Sequence, residues 1–168
     1  MADLYELLLT AELPADLPET ELAELRWHLG TAPEPTGFTI VTTHPIDYVG
    51  DGDPGQDDSE DSWEVYPERL LANRGPADAR LGGVEFSELA FREGHFPAWV
   101  LTSRQVLHGP THWDMLVEMI QWLDQRKPSP WGNANLAFYL RHYEDEFLTP
   151  ATLEGDRIVS RQDPGRLL

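Results

Sequence analysis

Residues 96–126 read FPAWVLTSRQVLHGPTHWDMLVEMIQWLDQR, and how this stretch divides into elements decides the fold. Its first part carries Phe96, Trp99, Val100 and Leu101. These are the aromatic and branched residues that a buried strand favours, so a strand is expected from Phe96 to Thr102. Pro110-Thr111-His112-Trp113-Asp114 has the composition of a helix start. Thr111 is placed to cap free backbone N–H groups, and Asp114 complements the positive end of the helix dipole. The helix should run to Arg126, where Lys127-Pro128-Ser129-Pro130 stops it. Asp114, Glu118, Gln121 and Gln125 fall at helical spacing and form one thin polar stripe. Trp113, Met115, Leu116, Val117, Met119, Ile120, Trp122 and Leu123 cover nearly all the rest, so this helix must be packed on more than one side.

Towards the N-terminus, Leu4 to Leu13 sets leucines between polar residues, a strand with both faces partly covered. Asp16-Leu17-Pro18-Glu19 has the spacing of a capping box with a proline near the helix start. Leu22, Leu25 and Leu29 then mark the inner face of a short helix ending at Gly30, flanked by Trp27, with Glu21 and Glu24 outward. Phe38 to Thr43 is the clearest run of strand-favouring residues in the chain, and Trp63 to Tyr66 suits a short strand. Val84 and Phe86 alternate out of phase with Leu89 and Phe91, which suggests a bulge near Ser87-Glu88. Beyond the long helix, Leu136 to Tyr143 alternates as a strand, and Thr152 to Val159 turns at Glu154-Gly155-Asp156 as a hairpin.

Leu7-Leu8-Leu9-Thr10 and Trp99-Val100-Leu101-Thr102 are each followed, after the same interval, by a proline and a tryptophan-bearing helix. Two strand–loop–helix units of this kind suit a split βαβ arrangement. The fold class expected is therefore α+β: a mostly antiparallel sheet of about five to seven strands with two main helices on one face. A ferredoxin-like form carrying an acidic loop insertion fits this pattern. Residues 1–168 are expected to make a single domain, with 50–62 a flexible acidic loop and 160–168 a frayed tail.

The chain has no cysteine, which excludes disulfides, thiolate catalysis and Cys-ligated metal sites and fits a reducing compartment. With no signal-peptide pattern at Met1-Ala2-Asp3-Leu4 and no apolar run of spanning length, a cytoplasmic protein without membrane contact is expected. The net charge of −18 is unevenly placed. Residues 1–68 hold seventeen acidic side chains against one basic residue, Arg26, a balance of −16, whereas residues 69–168 balance to −2. Such a field draws cations and basic partners and repels nucleic acid. The expectation is that the carboxylates before Glu68 gather into one outward patch.

Motifs for chemistry are sparse. Asp51, Asp53 and Gly55 superficially suit a calcium loop, but Gln56 and Ser62 stand where an EF-hand needs glycine and a bidentate glutamate. His108 and His112 are separated by Gly109-Pro110, and His28, His44, His95 and His142 are scattered, so no metal or other cofactor is expected. Neither a nucleophile elbow nor a phosphate loop nor a dinucleotide fingerprint is present, and no catalytic residue is assigned.

The most suggestive combination is Asp57, Asp58, Glu60 and Asp61 followed by Trp63, with Tyr48 and Tyr66 near it. Carboxylates beside an aromatic anchor suit a basic protein surface, steered by charge and held by the ring. The leading reading is thus a non-enzymatic binding module for a basic partner, analogous in composition to immunity proteins that neutralise toxins. Two others stand beside it: a small-molecule binder or small enzyme with His and Tyr in a pocket between sheet and helices, and a self-associating module that dimerises through a sheet edge.

Overall fold

A computed structural model describes residues 3–48, 63–109, 112–127 and 136–160. In chain order its elements are β1 (Asp3–Pro14), α1 (Glu19–His28), β2 (Ile46–Tyr48), β3 (Trp63–Val65), β4 (Gly75–Pro76), β5 (Val84–Arg92), β6 (Ala98–Gly109), α2 (Trp113–Arg126), β7 (Leu136–His142), β8 (Thr149–Glu154) and β9 (Arg157–Ser160). Seven strands form one sheet in the order β4-β5-β6-β1-β7-β8-β9, and β2 pairs with β3 apart from it. Every pairing is antiparallel. The fold is α+β, as the sequence pattern led us to expect. Of two helical crossovers, the one from β1 through α1 re-enters the sheet at its edge strand β4, past β6 and β5, and the one from β6 through α2 reaches β7 past β1.

The period of two along β1 sets its two faces. Leu7, Leu9, Ala11 and Leu13 join the core with Leu22, Leu25 and Leu29 of α1 and Met115, Leu116, Met119, Ile120 and Leu123 of α2. Burying each of these leucines contributes about 2 kcal/mol. The opposite face carries Glu6, Thr10 and Glu12 of β1 beside Arg104 and Thr102 of β6 and Arg141 of β7. No helix covers it. Leu4, Val106 and Leu81 close one end of that face as a small second cluster. Among the described residues, no helix is long and apolar enough to cross a membrane.

Helix α2 ends at Arg126, and seven of its apolar residues are buried, as its pattern requires. Helix α1 ends in a Schellman motif: Thr31 N–H bonds Arg26 O, Gly30 N–H bonds Trp27 O, and Gly30 takes φ +74°. At its start, however, Pro18 is the cap and no side chain bonds there, so the capping box is not formed. The hairpin turns at Gly155 with φ +66°, where Glu154 pairs with Arg157.

Several expectations need correction. Phe38 to Thr43 is no strand, because its backbone is held by side chains of both helices. β5 has no bulge: its register with β6 is constant from Phe86–Arg104 to Arg92–Ala98. Val84 and Phe86 instead lie on the uncovered face, and Ser87 and Leu89 face the helices. β6 continues past Thr102 to Gly109 because Ser103, Gln105 and Leu107 keep facing the core. Thr111 and the stretch 50–62 lie outside the described residues, as does the tail beyond Ser160, which itself ends β9.

Candidate functional site

Helices α1 and α2 are tied side by side by Glu21, whose carboxylate accepts from Trp122 Nε1 (2.9 Å) and Arg126 Nε (2.7 Å). Residues 39–43 run along them as a strap. Glu24 of α1 accepts the backbone N–H of Thr39 (2.6 Å), Ile40 (2.8 Å) and Val41 (3.0 Å). Glu118 of α2 accepts the N–H of Thr43 (3.1 Å), the N–H of Thr42, and the hydroxyls of Thr43 (2.7 Å) and Thr42 (3.1 Å). Donors that a strand would give to a neighbouring strand are thus satisfied by two carboxylates. Glu24, read from the sequence as outward, is 0% exposed. Burial pushes the Glu118 carboxyl up, but the bonds from Thr43 and Thr42 outweigh it and hold the group below its usual range.

Behind the strap, Trp27 meets the edges of Phe38 and His28, and His28 stacks with His44 at 6.5 Å. His28 Nδ1 accepts Leu70 N–H (3.3 Å), so its neutral ring carries the proton on Nε2, 3.9 Å from Glu24 Oε1. Burial, with a smaller contribution from His44, pushes the His28 pKa down to about 3. His44 is also lowered by burial, against the opposing pull of Glu118 and Glu24. Both imidazoles are neutral packing groups.

The strap leads directly into the β2–β3 ladder, where Ile46 pairs with Val65, Asp47 with Glu64 and Tyr48 with Trp63, and Tyr66 N–H bonds Pro45 O (2.9 Å). This ladder brackets residues 49–62, which hold six acidic residues and no basic one. On the ladder Ile46 is 62% exposed and Val65 57%, and Tyr66 just after it is 45% exposed. Of the predicted partner-binding residues, Trp63 stands on β3 opposite Tyr48. Asp57, Asp58, Glu60 and Asp61 lie outside the described residues. Ile46 and Val65 were missed, since an isolated Ile or Val gives no signal of exposure until strand pairing places it.

Several acids of the first half are paired within the body. Glu12 pairs with Arg92, Glu19 with Arg26 and Glu21 with Arg126. Glu6, 3% exposed, lies between Arg104 and Arg141, each 2.6 Å away; the Arg141 contact is a charge contact without hydrogen-bond alignment. Arg80 and Lys127 pair with Asp78 and Asp124. The basic side chains of the sheet and helices are therefore largely engaged within the body.

Two further groups draw on the scattered histidines. His112 Nδ1 accepts His108 N–H (3.1 Å) and its Nε2 faces Glu68 Oε1 (2.9 Å), so both nitrogens are engaged where β6 meets α2. No cluster of three or more His, Asp or Glu side chains suited to a metal ion occurs among the described residues. At the other side of the α2 start, a cleft of about 190 Å³ is lined by Tyr5, Trp113 and His142 over Leu140, with Asp145 and Ser160 at its rim. Tyr5 lies 5.1 Å from both Trp113 and His142, ring centre to ring centre. Compared with known protein families, curated proteins and solved structures, the chain matches none.

Proposed function

We propose that this protein is a non-enzymatic binding module for a basic protein partner, acting in a reducing, cytoplasmic compartment. The contact surface is the β2–β3 ladder together with the acidic stretch 49–62 that it brackets. One observation carries this reading: Ile46 and Val65, paired across the ladder, and the neighbouring Tyr66 all present apolar surface to water, on strands joined in the sequence by a stretch with six acidic residues. Exposed apolar groups set in a charged surround are what protein interfaces use, the apolar centre supplying affinity and the charges steering the approach. The commitment of Arg92, Arg104, Arg126 and Arg141 to carboxylates of the body supports an external counterpart for that stretch. An inhibitor-like role, in which the module covers a basic surface of another protein, is the form of function that fits.

Capture from native extract tests the reading with three baits. These are the wild type, a variant with Asp57→Asn, Asp58→Asn, Glu60→Gln and Asp61→Asn, and a variant with Ile46→Ser and Val65→Ser. A protein held by the wild type at low salt, released at high salt and lost from both variants supports it. A retained set that is the same for all three baits overturns it.

A further inference from the structure

The cleft beside the start of α2 belongs to neither the strap nor the proposed partner surface. Its floor is buried Leu140, and its walls are the half-buried rings of Tyr5, Trp113 and His142. At about 190 Å³ it is smaller than the roughly 300–1,000 Å³ of sites for drug-sized molecules, so it suits a ligand of few atoms. Gly109 borders the same ring: a Cβ there would lie 2.9 Å from Tyr5, so its lack of a side chain lets the tyrosine sit where it does.

The polar atoms at the rim have a definite sense. Thr149 Oγ1 gives its single proton to Leu140 O (3.1 Å). In its bond with Ser160 the serine hydroxyl must then be the donor, which leaves Ser160 Oγ with lone pairs alone to offer. His142 Nδ1 is an acceptor already, of Glu144 N–H (3.4 Å), and Asp145 brings a carboxylate. Asp3 stands 3.8 Å from His142 Nε2. With Nδ1 accepting, the neutral His142 ring carries its proton on Nε2, on the side of Asp3. What the lining leaves for a ligand is the Asp145 carboxylate, the Ser160 lone pairs and aromatic surface from Tyr5 and Trp113. The anion preference of the α2 N-terminus is answered by Asp114 in its first turn. A net charge of −18 further concentrates cations around the molecule.

We propose that this cleft is a binding site for a small organic cation, a substituted ammonium group seated against Tyr5, Trp113 and His142 with Asp145 and Ser160 at its edge. Attraction between the positive group and the ring faces selects it over a neutral molecule of the same shape. The distinction is measurable with choline and its neutral isostere, in which a quaternary carbon replaces nitrogen, titrated into the full chain at constant ionic strength and followed by NMR. Choline should saturate, shift the Tyr5, Trp113 and His142 ring resonances, and bind about tenfold more tightly than the isostere. Asp145→Asn, on an exposed turn, should weaken choline about threefold and leave the fold intact. Trp113→Leu should weaken it more. Equal binding of the two probes, shifts that never saturate, or a cleft unmoved by choline would each overturn the site.

Discussion

Glu24 and Glu6 are both buried carboxylates, yet the two sides of the sheet hold them in opposite ways. On the helix side, Glu24 has no Lys or Arg against it among the described residues: its oxygens are filled by three backbone N–H groups and a hydroxyl of the strap, and the nearest imidazole is neutral. On the uncovered side, Glu6 sits between two guanidiniums, which also reach the carbonyls of Gly82, Val84 and Leu81. One carboxylate organises backbone, the other organises charge. The difference teaches that an acidic sequence is not the same as an acidic surface, because some carboxylates are structural acceptors.

The two environments should fail differently when broken. Glu24→Ala strands buried N–H groups that no side-chain substitution can remove, since they belong to the main chain of Thr39, Ile40 and Val41. Its expected cost is about 3–4 kcal/mol in urea unfolding, the largest effect foreseen. Glu6→Ala should cost about 2 kcal/mol by leaving two half-buried guanidiniums without their carboxylate. Here rescue is available: the triple replacement Glu6→Leu, Arg104→Met, Arg141→Met removes every charge together and should return stability to within about 1 kcal/mol of wild type. A triple variant as unstable as Glu6→Ala would show that the arginine bonds to the loop carbonyls, rather than the charges, are what matters there.

The same contrast explains what could be read from the sequence. Helix α2, strands β1 and β7 and the terminal hairpin were legible because their burial follows a local period that their own residues display. Phe38 to Thr43 was misread because β-branched residues favour a strand, whereas the segment bends at Thr39-Ile40 and pairs with no strand. What the local pattern lacks is the identity of the acceptor, which comes from Glu24 and Glu118, fifteen or more positions away. Glu21 and Glu24 both read as outward from the sequence, yet α2 engages the first and the strap buries the second. In the candidate partner site, charge was visible in the sequence, but the exposed Ile46–Val65 pair required the ladder. Tyr5, Trp113 and His142 come from β1, α2 and β7, so no motif in the chain could announce the cleft.

The neutrality of His28 is the sharpest test of how Glu24 is held, because a protonated ring 3.9 Å away would turn the backbone clamp into an ion pair. Burial lowers the folded-state pKa of His28 from 6.5 to about 3. Between those values the unfolded chain binds a proton that the folded chain refuses, so stability falls as pH drops below 6.5 and is unaffected by this group above it. By pH 5 the loss should be about 2 kcal/mol for His28, with His44 adding in the same direction. Glu118 contributes stability that is lost only at lower pH, as it approaches protonation, so the window from pH 7 to 5 isolates the imidazoles. In urea unfolding across that window, His28→Gln, whose amide oxygen can still accept Leu70 N–H, should flatten the slope while lowering stability at pH 7 only modestly. If wild-type stability were instead flat or rising as pH falls from 7 to 5, His28 would be charged in the folded protein. Glu24 would then have the counterion that its surroundings lack, and the two carboxylates would be held by the same means.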